Sequence, residues 1–92
     1  MIRSWKHKGL RQFYETGSTA GIVPEHAARL ETRLNALNLA EVIEDLNFPG
    51  YKLHRLKGDR KNIWSLSVTG NWRLTFEFTH SDVYILNYED YH

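Results

Sequence analysis

Two segments of the sequence hold side chains suited to proton transfer and to anion binding. One segment runs from Tyr51 to Arg60 and the other from Tyr88 to His92. Histidine titrates near neutral pH and can take or give a proton, whereas lysine and arginine bind phosphate groups. With one arginine on a predicted strand between them, these segments supply six candidate site residues: His54, Lys57, Arg73, Asp90, Tyr91 and His92.

These six candidates comprise two histidines, a carboxylate, a phenol and two fixed cations. Such a set suits cleavage of RNA by its own 2′-hydroxyl. A base removes the hydroxyl proton, cations stabilise the charge that builds on the phosphate, and an acid protonates the 5′-oxygen. An aromatic ring such as that of Tyr91 or Trp64 can stack a base. Because the spacing matches no specific motif, the set suits a non-catalytic RNA-binding sheet equally well.

Alternating apolar and polar residues from Tyr51 onward predict four consecutive β-strands. Their short connections imply antiparallel neighbours. In the third strand the apolar residues face the core, which leaves Arg73, Thr75 and Glu77 on the open face. Arg73 either has room for an anion there or pairs with Glu77 or another carboxylate.

Helical spacing predicts a short helix over Lys8–Glu15 and a second helix that begins at Pro24. The apolar stripe of the second helix loses its phase after Leu37, which predicts a further short helix over about Leu39–Leu46, or a kink. Met1–Trp5 has the pattern of an edge strand. The helices must cover one face of the sheet. We therefore predict one α+β domain over residues 1–92, with N-terminal helices on one face of a mainly antiparallel sheet.

The composition excludes several kinds of site. The 92 residues include no cysteine, so there is no disulfide, thiolate metal site or cysteine nucleophile. No two histidines are spaced to share a metal on one element, and we expect neither metal nor cofactor. The remaining histidines, His7, His26 and His80, are expected on helix or loop surfaces. No apolar run approaches the ~18 residues of a membrane span and no signal-peptide pattern follows Met1, so we expect a cytoplasmic protein.

The net charge of +1 is unevenly distributed along the chain. Residues 47–70 hold five cations against one carboxylate, and residues 71–92 hold one cation against four carboxylates. This separation predicts a basic and an acidic surface region, and a basic region suits phosphate. Alternatively, the charge blocks average out in the folded chain.

The same residues closely resemble the HigB toxins, which belong to the RelE/ParE superfamily of bacterial type II toxin–antitoxin systems. The resemblance begins at Met1-Ile2-Arg3-Ser4 and extends over most of the chain. Its most specific parts are a lysine-glycine-aspartate loop, an asparagine-tryptophan-arginine turn and an acidic-tyrosine-histidine segment. Here these parts read Leu56-Lys57-Gly58-Asp59-Arg60, Asn71-Trp72-Arg73 and Tyr88-Glu89-Asp90-Tyr91-His92.

The resemblance implies a RelE-like fold and a ribosome-dependent endoribonuclease that cuts mRNA and stops translation. The implied partners are a HigA-like helix-turn-helix antitoxin and the 70S ribosome with its mRNA, while operator DNA is reached only through the antitoxin. The implied roles are proton transfer by His92 and Asp90, a further proton carrier at His54, phosphate binding by Lys57 and Arg73, and orientation or stacking by Tyr91.

The sequence leaves two alternative functions open. A ParE-like toxin of the same superfamily would bind and inhibit DNA gyrase without cleaving RNA, although it would need no proton carriers. A toxin weakened to a regulatory binding protein would keep the same residues, because a small misplacement is enough to slow a site.

Overall fold

The computed structural model describes residues 1–91 and shows two helices packed with a four-stranded sheet. This arrangement confirms the predicted α+β class. None of the helices in this part of the chain is long and apolar enough to cross a membrane. Three short 3-10 turns, at Pro24–His26, Ile43–Leu46 and Gly58–Arg60, connect the main elements. These main elements are α1 (Lys8–Thr16), α2 (Ala27–Leu39), β1 (His54–Arg55), β2 (Trp64–Thr69), β3 (Trp72–Thr79) and β4 (Asp82–Asp90).

The four strands lie in the order β1-β2-β3-β4 and every neighbouring pair is antiparallel, as the short connections predicted. The register aligns Ser67 with Arg73 and Arg73 with Glu89 across β2, β3 and β4. β1 is shorter than the predicted strand from Tyr51. Lys52 has a φ of 50°, which is incompatible with extended backbone and delays the strand until His54.

The core lies between the helices and the sheet. The stripe predicted on α2 accounts for Leu30, Leu34 and Leu37, all of which are fully buried. From the sheet, fully buried side chains come from the middle two strands and from β4: Leu66, Leu74, Phe76, Val83 and Leu86. The apolar residues of the strands therefore face the helices, and the polar residues between them form the opposite face.

The segment Met1–Trp5 lies beside β4, at the edge position that its pattern predicted. Ile2 pairs with Val83 and Trp5 with Leu86, both in the parallel sense. β4 is consequently held on one side by β3 and on the other by this segment. This support covers β4 from Val83 to Leu86, whereas the chemically rich end of the strand, at Glu89 and Asp90, pairs with Arg73 and Trp72 of β3.

The predicted helix over Leu39–Leu46 is wrong in part. α2 continues to Leu39, Ala40 is extended, and only the short 3-10 turn Ile43–Leu46 follows. The carboxylate of Asp45 accepts the backbone N–H groups of Glu41 and Val42 at 3.0 and 3.2 Å. This local hydrogen bonding stabilises a turn where the apolar phase break had suggested a helix.

α1 and the loop that precedes α2 approach each other through two glycines. A Cβ atom on Gly21 would lie 2.5 Å from the Cα of Gly9, and a Cβ on Gly9 would collide with the carbonyl oxygen of Gly21. Only glycine allows two backbones to pass this closely. The loop is thereby held against α1.

β4 contains a bulge at Ile85. Its pairing with β3 shifts register between Thr75 and Glu77, and Ile85 has a φ of 47°. In a G1 bulge, the first residue has a left-handed conformation and is usually glycine. A β-branched residue in the same conformation is strained.

Replacing Ile85 by glycine should give a more stable protein than replacing it by alanine, by about 1 kcal/mol. The Ile85 side chain is 42% exposed, and both substitutions remove nearly all of it. Only glycine also removes the Cβ that strains the backbone. At an ordinary strand position the order is the reverse. Denaturant unfolding of the two variants measures the difference, and an alanine variant at least as stable would contradict the strained geometry.

Candidate functional site

A solvent-accessible hollow of about 160 Å³ lies on the polar face of the sheet. Three of the six candidate residues line it: His54 from β1, Arg73 from β3, and Tyr91 just after β4. Ser65 and Ser67 of β2 line the hollow between them. The antiparallel register therefore brings together residues that are up to 37 positions apart, from His54 to Tyr91.

Arg73 and Lys52 are the cations that line this hollow, and Arg73 is the one that the sequence singled out. Its guanidinium carbon lies 4.1 Å from the centre of the Tyr91 ring, a cation–π contact. Its Nε is buried and has no hydrogen-bond partner within residues 1–91. None of the salt bridges within residues 1–91 involves Arg73, so the alternative of a pair with Glu77 is not found there. A buried N–H without an acceptor is costly. Because Arg73 also lines the hollow, its positive charge can bind an anion that enters there.

His54 is exposed, and its ring is oriented by its own chain. Nδ1 lies 2.8 Å from the carbonyl oxygen of Lys52. A carbonyl can only accept, so Nδ1 carries the proton of the neutral ring and Nε2 is the proton acceptor. His54 is thus prepared to act as a base through Nε2.

The other three candidates are placed differently. Lys57 is exposed at the start of the turn Gly58–Arg60 and is not among the residues that line the hollow. Asp90 is exposed at the end of β4, opposite Trp72, and does not line the hollow either. His92 lies outside the described residues. The roles assigned to these three residues stay predictions.

Glu89 is a polar residue of this face that the sequence reasoning overlooked. Both of its oxygens accept from Arg60, at 3.2 and 2.6 Å, and Thr75 Oγ1 also donates to it. Burial raises the pKa of Glu89, but the bonds from Arg60 and Thr75 and the charges of Arg60 and Arg73 outweigh it and lower the pKa. Strand alternation could have found it, because Glu89 must face away from the buried Tyr88.

On the opposite face of β4 a buried pair anchors the strand just before these residues. The prediction that His26 lies on the surface is wrong: His26 is 6% exposed, and its Nδ1 lies 2.5 Å from Tyr88 Oη. Burial lowers the pKa of His26 and raises that of Tyr88, which keeps both groups neutral near pH 7. Trp72 packs on Tyr88, with 4.5 Å between ring centres. His7, also expected on the surface, caps α1 through its Nδ1, 2.9 Å from Leu10 N.

Comparison of the sequence with known proteins identifies the family. The HigB-like toxin family, described as the RelE-like toxin of type II toxin–antitoxin system HigB, matches residues 3–92. The chain is 52% identical to Endoribonuclease HigB of Proteus vulgaris over 92 residues, which is 100% of both chains. It is 31% identical to Toxin HigB-1 of Vibrio cholerae serotype O1 over 80 residues, which is 85% of this chain and 84% of the relative.

These matches agree with the resemblance that the motifs carried and with the α+β architecture of two helices on a four-stranded antiparallel sheet. They do not favour the ParE-like alternative, because the family and both relatives are HigB toxins. The chain belongs to the HigB family of RelE-like toxins of type II toxin–antitoxin systems.

Proposed function

We propose that this toxin is an endoribonuclease that cleaves mRNA on the ribosome through attack by the RNA 2′-hydroxyl, and so inhibits translation. The activity class is supported by full-length likeness to a protein named Endoribonuclease HigB. The observation that carries the proposal is the Arg73 guanidinium, which lines a hollow together with His54 and forms no salt bridge among residues 1–91.

The residues of the hollow suit the two charge movements of this reaction. Nε2 of His54 can accept the 2′-hydroxyl proton, and Arg73 can bind the phosphate whose charge rises as the new P–O bond forms. The 5′-oxygen leaves with a proton, for which we propose His92 or Asp90 as the donor. Lys57 supplies a further cation for the RNA backbone. Tyr91 orients Arg73 through the contact of its ring with the guanidinium, or stacks a base. The products would be a 2′,3′-cyclic phosphate and a 5′-hydroxyl end.

Dependence on the ribosome follows from how little the site offers to free RNA. The net charge is only +1. His54 and Lys57 are exposed, and the hollow of about 160 Å³ is too small to enclose a nucleotide on all sides. Positioning of the reacting groups accounts for a large part of catalysis. We propose that the ribosome holds the mRNA in place.

Membership of a type II toxin family means that the protein has an antitoxin as its partner. We propose that this antitoxin is HigA-like, with a helix-turn-helix domain, and that the toxin reaches operator DNA only through it. In a mobility-shift experiment the toxin alone should leave operator DNA unshifted, whereas the toxin–antitoxin complex should bind it. Binding of operator DNA by the toxin alone would contradict this division of labour.

The purified toxin should cleave an mRNA bound in programmed 70S ribosomes far faster than the same mRNA free in solution. The experiment compares initial rates in both settings and identifies the new ends chemically. Cyclic phosphate and 5′-hydroxyl ends are expected. Equal rates in both settings would contradict the ribosome dependence, and 5′-phosphate ends would contradict attack by the 2′-hydroxyl.

A further inference from the structure

Glu89 joins two parts of the chain that are far apart in sequence. It lies in β4 beside Asp90, and it receives a two-point ion pair from Arg60, 29 positions earlier. Thr75 of β3 donates to the same carboxylate and is itself only 2% exposed. We call these three residues the Arg60–Glu89–Thr75 clamp. Two-point arginine–carboxylate pairs fix geometry better than single contacts do.

The clamp fastens the loop that carries Lys57. Residues 57–62 connect β1 to β2, at the edge of the sheet that is remote from β4. Among the hydrogen bonds and salt bridges within residues 1–91, the bonds of this loop are otherwise local: Lys61 N to the Gly58 carbonyl, Ile63 N to the Arg60 carbonyl, and Arg55 Nε to the Lys61 carbonyl. Within residues 1–91, Arg60 makes the only hydrogen bonds between this loop and β4, and these bonds hold the loop over the polar face.

The clamp also determines what Arg73 can bind. Glu89 is the direct neighbour of Arg73 in the β3–β4 register, so it is the carboxylate best placed to neutralise that cation. Its oxygens are instead occupied by Arg60 and Thr75. Arg73 consequently stacks on Tyr91 and its Nε has no partner in the described chain.

We propose that the Arg60–Glu89–Thr75 clamp is a positioning element of the RNA-cleavage site. It holds the Lys57 loop over the polar face of the sheet, and it keeps Glu89 from pairing with Arg73. Arg60 and Glu89 need not touch the reacting atoms for this role. The inference rests on the proposed function, since it assigns these residues to the same site.

The test compares Arg60→Ala and Glu89→Gln with wild type in the ribosome assay. Both variants should lower kcat by about 10- to 100-fold, the range expected for slight misplacement of reacting groups, while KM stays within about twofold. The double variant should be no slower than the slower single variant, because both changes break one clamp. Arg60→Lys should recover part of the rate, since it restores the charge but not the two-point geometry.

Arg3→Ala is the matched control. Arg3 pairs with Asp82 of β4 at 3.0 Å, with side-chain exposures of 50% and 20%, against 44% and 22% for Arg60 and Glu89. The Arg3→Ala variant loses the same charge and an ion pair of similar exposure, outside the proposed site. It should therefore leave kcat unchanged. Amide hydrogen exchange at residues 57–62 should quicken in Arg60→Ala but not in Arg3→Ala.

The outcomes separate the clamp from the proposed function. A wild type that cleaves, together with Arg60→Ala and Glu89→Gln variants that cleave equally fast, would overturn the clamp and leave the function standing. Slowing in Arg3→Ala equal to that in Arg60→Ala would also overturn it, because loss of charge alone would then explain the effect. A wild type that does not cleave would overturn the proposed function and the positioning role with it.

Discussion

Replacing Arg73 by methionine should reduce cleavage of ribosome-bound mRNA by about 10²- to 10³-fold in kcat, the loss typical of removing one preorganised donor to a developing charge. Methionine keeps the apolar stem beside Tyr91 but carries no charge. Because Arg73 forms no salt bridge within residues 1–91, its removal leaves no buried carboxylate unpaired. The fold should therefore persist, which circular dichroism can check.

Arg73→Lys makes the experiment specific. Lysine keeps the charge but loses the planar group that stacks on Tyr91 at 4.1 Å. We expect a rate between those of wild type and Arg73→Met. Cleavage by Arg73→Met within about threefold of wild type, on the scale of a single weak contact, would contradict a role for Arg73 at the phosphate.

Replacing Arg33 by methionine should lower the free energy of unfolding by about 2 kcal/mol. Arg33 is 8% exposed, and its Nε donates to the Ser67 carbonyl at 2.7 Å. Its guanidinium carbon also lies 4.3 Å from the centre of the Tyr51 ring. Burial lowers the pKa of Arg33. Methionine would leave the Ser67 carbonyl without this donor.

The expected fall in Tm is about 8–16 °C for a domain of this size. The position of Ser67 explains the size of the effect. β1 no longer pairs with β2 beside Ser67, and the Tyr51 carbonyl accepts the Ser67 N–H at 2.7 Å. The Ser67 carbonyl accepts from Arg33 in place of a strand neighbour.

Arg29→Met is the control for Arg33. Arg29 lies one helical turn earlier, is exposed, and donates to the Val68 carbonyl at 3.1 Å. Its loss should cost about 0.5–1 kcal/mol, as for an ordinary hydrogen bond. Equal Tm shifts in the two variants would contradict a special structural role for the buried Arg33.

Period-two alternation was sufficient to predict much of the sheet and part of the site. It put Arg73 on the face opposite Phe76, and the antiparallel order then brought Arg73, His54 and Tyr91 together. Glu89 was not among the predicted site residues, although the same alternation places it on the face of Arg73. That omission could have been avoided from the sequence.

Other features depend on contacts that no local pattern encodes. His26 looks like a surface residue in a helical sequence, and it is buried against Tyr88 and Trp72, which lie 62 and 46 positions away. Arg33 is buried against the Tyr51 ring and the Ser67 carbonyl, where β1 has diverged beside Lys52, whose positive φ no residue type predicted. Lys57 was grouped with the site by charge, yet its loop is held in place by Arg60, through a bond that only the tertiary structure reveals.

The most direct test of the central claim is to map mRNA 5′ ends across a bacterial host after induction of the wild-type toxin and of a variant that lacks His92. The account predicts that wild type stops translation and produces new 5′-hydroxyl ends in translated regions, in frame with codons, and that the variant produces none. Growth arrest by both proteins without new mRNA ends would contradict it and would make DNA gyrase the next target to test.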